Sequence, residues 1–128
     1  MNAGARLILN ANQREHITLL LRQLHWLCLL ERITSKLATM MFQCVNGTAP
    51  RYLSADERRV ADVPGRKHLR LAASSSLAMP ATRRSTIGDR TFVVVAASVW
   101  NKLPQEIRSA TSLPVFRRRL KTHFFDCV

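Results

Sequence analysis

The acidic side chains of this sequence are the residues that could bind catalytic metal ions. Their spacing along the chain does not bring them together in one metal-binding motif. Nucleotidyl transfer on two metal ions needs clustered carboxylates, because charge must be stabilised on both the attacking and the leaving oxygen. The eight Asp and Glu residues are scattered, and the adjacent pair Asp56 and Glu57 is followed by Arg58 and Arg59. Such a pair is typical of a helix start or an ion pair. The sequence therefore predicts no metal site.

The histidines and cysteines do not form a nucleophilic site either. The histidines are too dispersed for a triad, and neither a Gly-rich phosphate loop nor a GxSxG elbow occurs. The cysteines lack CxxC or zinc-ligand spacing, which predicts reduced, mostly buried thiols. We therefore expect no enzyme activity, no cofactor and no small-molecule substrate. These residues are His16, His25, His68, His123, Cys28, Cys44 and Cys127.

The charge balance indicates the class of partner. Twenty Lys and Arg against eight Asp and Glu give a formal net charge of +12 and a pI near 11.4. Most of the basic residues are Arg, whose planar guanidinium pairs with phosphate in a bidentate manner. The composition favours RNA or DNA as a partner. The alternative is a small basic protein that is highly charged and binds nothing specifically.

Two basic segments contain the candidate nucleic-acid contacts. An Arg-rich loop or helix can follow a phosphate backbone without reading bases, so sequence-specific recognition is not indicated. The alternative for both segments is a solvated charged face. The candidates are Arg66, Lys67, Arg70, Arg83 and Arg84 in a loop and Arg117, Arg118, Arg119 and Lys121 in the last helix.

Apolar periodicity places these segments in a mainly α domain. Hydrophobic residues make up 47% of the 128 residues, enough for one core. We predict three to four packed helices and allow a short β-hairpin between about residues 69 and 95. The parts are an N-terminal helical part (1–55), a basic loop-rich segment (56–90) and a C-terminal strand and helix part (91–128), all in one domain or domain fragment.

One apolar stripe at helical spacing predicts a central packed helix. Steps of four and three residues place its members on one face, which we expect to be buried. The helix is predicted to end at Asn46 and Gly47 as a C-cap. The members of the stripe are Trp26, Leu30, Ile33, Leu37, Met40 and Cys44.

The C-terminal part is predicted to contain a strand and two helices. Residues 91–95 are β-branched and aromatic, which favours a strand, and residues 96–103 can form a helix that contains Trp100. We interpret both Trp26 and Trp100 as core residues, since each lies in an apolar helical pattern. The alternative is that these tryptophans stack on nucleic-acid bases. A basic amphipathic helix follows, with an apolar face of Leu113, Phe116, Leu120 and Phe124.

The longest apolar stretch is too short and too polar for a membrane span. A spanning helix needs roughly 18 to 20 apolar residues. The segment from Leu19 to Leu30 is interrupted by Arg22, Gln23 and His25. The sequence predicts a soluble, intracellular protein of the nucleus or cytoplasm without a membrane partner.

Short motifs follow one another along nearly the whole chain. They are His16-Ile17-Thr18, Leu24-His25-Trp26-Leu27, Glu31-Arg32-Ile33, Lys36-Leu37, Asn46-Gly47-Thr48-Ala49-Pro50, Tyr52-Leu53, Leu69-Arg70, Gly88-Asp89-Arg90 with Phe92, Trp100-Asn101-Lys102-Leu103-Pro104, Glu106-Ile107-Arg108, and Phe116 with Leu120-Lys121. This ordered set, above all its His-Trp and Trp-Asn-x-Leu-Pro motifs, resembles the C-terminal end of the reverse transcriptases of LINE-type, non-LTR retrotransposons.

The resemblance implies a region that follows the palm and thumb of such a polymerase. The fingers, the catalytic palm with its Tyr/Phe-x-Asp-Asp carboxylates and the endonuclease would then be missing. A non-catalytic remnant with weak, sequence-independent RNA or DNA binding is implied. The alternatives are an inactive structural fragment or truncated gene product, and a partner of a full-length polymerase that binds the reverse transcriptase core.

Two positions depart from the family's pattern. Cys28 stands where Pro usually follows His-Trp-Leu, and Ala81 stands where a basic residue is common. Loss of a helix-initiating Pro predicts that the helices containing Trp26 and Leu30 merge.

Overall fold

The regular structure of the chain is helical in the computed structural model, which describes residues 1–66, 68, 70, 75–84 and 86–126. The expectation of a mainly α protein is confirmed. Short 3-10 helices at Val60–Asp62 and Gly88–Arg90 lie between the longer elements. The α-helices of the described residues are α1 (Asn2–Ile8), α2 (Ile17–Gln23), α3 (Leu29–Val45), α4 (Arg51–Ser54), α5 (Phe92–Lys102), α6 (Gln105–Arg108) and α7 (Leu113–Asp126).

The core lies where α3 packs against α5 and α7. Phe42 of α3, Trp100 of α5 and Phe116 of α7 form an aromatic cluster at its centre. The Phe42 and Phe116 rings are stacked with their centroids 4.5 Å apart, and the Trp100 and Phe116 centroids are 6.0 Å apart. Trp100 and Phe116 are both 0% exposed, so the interpretation of Trp100 as a core residue is confirmed.

The buried face of α3 differs from the predicted stripe. Leu30 is 76% exposed and Ile33 is 49% exposed, whereas Ala38, Met41 and Phe42 are buried. The helical period was therefore predicted correctly, and the face only in part, since Cys44 is the member of the stripe that is buried, at 4% exposure. Since α3 has apolar residues on more than one side, the choice of face depends on packing, and a small residue such as Ala38 lets the neighbouring helices approach closely.

The break before α3 is formed by two local features, so the predicted merging of the helices is wrong. His25 adopts a left-handed φ of 52°, and the N–H of Trp26 donates to the oxygen of Leu21 at 2.8 Å. This is the hydrogen bond of a Schellman motif, which ends α2. The N–H of Cys28 then donates to the carboxylate of Glu31 at 2.8 Å and so caps the start of α3 without a Pro.

The C-terminal end of α3 is the predicted one. Asn46 is its C-cap, and the Nδ2 of Asn46 donates to the oxygen of Phe42 at 2.8 Å. Gly47 follows with a φ of 69°, a conformation that Gly adopts at little cost.

The segment 91–95 begins a helix, so the strand predicted there is wrong. Thr91 has extended backbone angles and precedes α5, in which the buried Val94, Ala97 and Trp100 follow one another at steps of three. A β-branched residue loses less than about 0.7 kcal/mol of helix propensity relative to Ala. Burial of this face against α3 therefore outweighs the preference for a strand.

The hairpin allowed between about residues 69 and 95 is not seen. The strand pairing among the described residues is an isolated antiparallel bridge between Arg59 and Leu77. Residues 69, 71–74 and 85 of that interval lie outside the described residues.

Side chains of α5 hold the segment 75–77 on the core by hydrogen bonds. The Nε1 of Trp100 donates to the backbone oxygen of Ser75 at 2.8 Å. Asn101 accepts from the N–H of Leu77 and donates to its oxygen, both at 2.9 Å. The Trp-Asn motif of the sequence thus has a structural role in this chain.

None of the helices in the described ranges is long and apolar enough to cross a bilayer.

Candidate nucleic-acid interface

Helix α7 has two chemically different faces, as predicted. Phe116 and Leu120 are 0% exposed and form its core face. Arg117, Arg118 and Lys121 are exposed on the rest of the helix. At about 100° per residue, adjacent basic residues cannot all lie on the core face, which leaves a cationic surface.

Arg119 differs from its neighbours because its guanidinium has a partner in the protein. The Nη1 of Arg119 donates a hydrogen bond to the backbone oxygen of Glu106 at 2.6 Å. Glu106 lies in α6, and its backbone oxygen also accepts a hydrogen bond from the hydroxyl of Ser109 at 3.1 Å. Arg119, a predicted nucleic-acid contact, thus connects α7 to α6.

The exposed face of α7 also contains an aromatic ring. Phe125 lies four residues after Lys121 and seven after Arg118, so the three side chains share one side of the helix. The Nζ of Lys121 is 5.9 Å from the centroid of the Phe125 ring, within cation–π range. The ring of His25 meets the same ring edge-on, with a centroid separation of 5.8 Å and an interplanar angle of 62°.

The turn after α2 places Trp26 beside this face. Trp26 is half-buried and lies outside the core cluster of α3, α5 and α7, so its interpretation as a core residue is wrong. The left-handed His25 turns the chain away from the axis of α2, and the indole of Trp26 then borders a cavity that Lys121 of α7 also lines.

Two adjoining cavities lie on this surface, and no Asp or Glu lines either of them. The first has a volume of about 340 Å³ and is lined by Met1, His25, Trp26, Leu27, Arg32 and Lys121. The second has a volume of about 320 Å³ and is lined by His25, Arg118, Lys121, Thr122 and Phe125. His25 and Lys121 border both, so the two cavities are neighbours. We call His25, Trp26, Arg118, Lys121 and Phe125 the basic–aromatic surface.

The loop candidates form a separate group. Arg66, Arg70, Arg83 and Arg84 are exposed, and Lys67 lies outside the described residues. Among the described residues, Arg66 and Arg58 line a cavity of about 500 Å³ beside the start of α5. Asp56 also lines this cavity, and no residue of α7 does. Arg66 and the basic residues of α7 therefore line different cavities.

A larger cavity of about 630 Å³ lies between α6 and α7 and has mixed charge. Glu106 and Asp126 line it together with Arg118 and Arg119. The two carboxylates lower the positive potential there, so this cavity suits a polyanion less well than the basic–aromatic surface does.

Displaced pKa values occur away from this surface, in polar groups that pack against the core. Burial raises the pKa of the Cys44 thiol, and the nearby Glu57 carboxylate raises it further. Burial also raises the pKa of Glu57 and lowers that of Arg108. Among the described residues, no group of three or more His, Cys, Asp and Glu side chains could hold a metal ion.

Sequence reasoning selected Arg118 and Lys121, considered base stacking by Trp26 only as the alternative to a core role, and missed His25 and Phe125. The spacing of Phe125 from the two basic residues is a signal that could have identified it. No local pattern indicates that His25 and Trp26 meet α7, because that contact joins opposite ends of the chain.

Comparison of the chain with known protein families, with curated proteins and with solved structures found no match. The basic–aromatic surface and the resemblance of the motifs are therefore the grounds for a functional proposal.

Proposed function

We propose that this chain is a non-catalytic RNA- or DNA-binding protein, and that the basic–aromatic surface is its binding site. The observation that carries the proposal is the composition of this surface, which combines Arg118 and Lys121 with three aromatic rings and has no lining carboxylate. Phosphates supply the charge complementary to these cations, and aromatic rings accept bases of any sequence. Binding is therefore sequence-independent.

The net charge and the resemblance to LINE-type reverse transcriptases support the same proposal. A formal charge of +12 attracts a polyanion from a distance, and Arg117 extends the cationic face of α7 beyond the two cavities. A chain derived from the C-terminal end of such a polymerase would keep a nucleic-acid contact although it has no catalytic palm. The affinity is weak, because one basic helix makes few phosphate contacts.

A salt titration with charge-neutral variants tests the proposal. We expect the Arg117→Gln, Arg118→Gln, Lys121→Gln triple variant to bind all RNA sequences more weakly. The slope of log affinity against log salt should become shallower by roughly 0.7 to 0.9 for each phosphate that the variant no longer neutralises.

The matched control removes three charges elsewhere, with Arg66→Gln, Arg83→Gln and Arg84→Gln. This variant should lose less affinity and keep more of the salt slope. Equal losses in the two triple variants would contradict a site on α7 and indicate a general effect of net charge. An unchanged titration in the α7 variant would remove the helix as a binding site.

The proposal also requires that the chain does not polymerise nucleotides. We expect no template-dependent primer extension with magnesium or manganese. Incorporation above a blank without protein would contradict it.

Exposed apolar residues at the start of α3 favour a second candidate, contact with a reverse transcriptase core. Leu29, Leu30 and Ile33 are 63%, 76% and 49% exposed, which is unusual for neighbouring large apolar side chains. Leu30→Asp together with Ile33→Asp should then abolish co-sedimentation with a purified LINE-type polymerase core while leaving RNA binding unchanged. Unchanged co-sedimentation would contradict this candidate.

A further inference from the structure

The side chain of Trp26 offers an aromatic face that the fold does not use. Trp26 and Trp100 are the two tryptophans of the chain, and Trp100 is 0% exposed with its Nε1 bonded to Ser75. Trp26 is half-buried and lies outside the core cluster. Large aromatic side chains are normally buried for their hydrophobic contribution, so an indole at the wall of a surface cavity is available to a ligand.

The surroundings of Trp26 suit a planar ring that is joined to an anion. Leu27 supplies an apolar wall of the 340 Å³ cavity, and Arg32 and Lys121 supply positive charge at its border. The Nε–H of Arg32 is buried and has no acceptor among the described residues. The guanidinium of Arg32 therefore keeps one donor that the described residues leave unpaired.

The neighbouring cavity continues the same chemistry along α7. Arg118 and Lys121 lie beside the Phe125 ring, and His25 packs against that ring at the boundary between the two cavities. A second base and its phosphate would meet the same combination of ring and cation there. Each nucleotide of a single strand presents one base and one phosphate, and a surface that combines rings with cations can contact both.

We propose that the ligand of the basic–aromatic surface is single-stranded nucleic acid, with an unpaired base stacked on Trp26; this rests on the proposed nucleic-acid binding. In a duplex the base faces are already stacked on one another, and the grooves expose base edges only. A duplex can therefore use the cations of this surface but not its rings. Single strands gain the stacking contribution, and duplexes do not.

Variants of Trp26 distinguish stacking from charge. The probes are an oligouridine of roughly 12 nucleotides and an RNA duplex of the same length. Trp26→Leu should lower the affinity for the oligouridine by about 5-fold or more and leave the duplex affinity within about 2-fold. Trp26→Phe, which keeps an aromatic face, should retain most of the affinity. Tyr52→Leu removes an aromatic ring that is 79% exposed on α4, away from both cavities, and should change neither affinity.

Intrinsic fluorescence gives an independent measurement. Oligouridine should quench the emission of the wild type and leave that of Trp26→Phe unchanged, because the remaining Trp100 is buried. The melting temperatures of the variants show whether they are folded. If Trp26→Leu does not fold, Trp26→Phe still provides the test by fluorescence.

The outcomes separate this inference from the proposed function. Equal losses of oligouridine and duplex binding in the Trp26 variants, or no loss in either, would overturn the stacking inference. Nucleic-acid binding that still depends on Arg117, Arg118 and Lys121 would in that case leave the proposed function standing. Binding to neither probe by the wild type would overturn both.

Discussion

Single residues of one type have opposite roles in this protein, and the two tryptophans are the clearest case. Both follow an apolar pattern, and the pattern predicts burial for each of them. Trp100 is buried because α3 and α7 cover its face of α5. Trp26 is not, because the left-handed turn at His25 ends α2 before the indole can join the helix face. Local pattern alone could not distinguish them.

Asn101 provides a test of the structure at the level of one residue. Asn101→Ala leaves the N–H and the oxygen of the buried Leu77 without partners, which should cost roughly 2 kcal/mol or more of unfolding free energy. Urea denaturation measures this loss. Lys102→Ala, at the exposed neighbouring position, is the matched control and should cost less than about 0.5 kcal/mol. Similar losses in the two variants would contradict the assigned hydrogen bonds.

The secondary-structure elements could be predicted from the sequence where apolar periodicity or a capping residue determines them. The helical period of α3, its end at Asn46 and the amphipathic α7 follow from the sequence. The buried face of α3 could not be predicted, since Leu30 and Ile33 are as apolar as the residues that are buried. The helix at 92–102 was also missed, because a run of valines favours a strand until α3 provides a surface on which it can pack.

The orientation of α3 can be tested with one charge on each of its faces. Met41→Asp places a carboxylate at a position that is 1% exposed, and we expect a loss of about 3 kcal/mol or more, enough to unfold a small domain. Ile33→Asp belongs to the predicted stripe, but its position is 49% exposed, so it should cost less than about 1 kcal/mol. Far-UV circular dichroism against temperature compares the two variants. A greater loss of stability for Ile33→Asp than for Met41→Asp would indicate that the predicted stripe is the buried face of α3.

The junction after α4 makes the stability depend on pH. Burial raises the pKa of Glu57 in the folded protein, so its carboxyl is stabilised in the protonated form. The contribution of the protonated Glu57 to the free energy of unfolding is therefore fully present below the pKa of an unfolded glutamate, roughly 4.3. It is lost as pH rises through the pKa that Glu57 has in the folded protein. Glu57→Gln, which mimics the protonated form, should become more stable than the wild type as pH rises above that range.

Urea denaturation at several pH values measures this difference, with Glu106→Gln at an exposed carboxylate as the control. A stability difference between Glu57→Gln and wild type that stays constant, or that shrinks with rising pH, would contradict the burial of Glu57.

At the scale of the whole molecule, the proposed partner class follows from composition and the proposed site does not. Net charge is a sum over residues and can be read from the sequence, whereas the basic–aromatic surface requires the turn after α2 to meet the last helix. Arg119 shows the same limit, since only the position of α6 shows that its guanidinium has a backbone partner. The residues predicted to bind nucleic acid therefore include Arg118 and Lys121 of the proposed site and omit its rings.

We claim that nucleic acid binds where His25 and Trp26 meet α7, and a ¹H–¹⁵N correlation spectrum recorded during titration with oligouridine can locate the bound strand. The two indole N–H signals report on Trp26 and Trp100 separately. We predict that the Trp26 indole and the amides of residues 117–125 shift in parallel, while the Trp100 indole, bonded to Ser75, does not move. Shifts confined to the loop that contains Arg66 and Arg83, or no shifts at all, would contradict the claim.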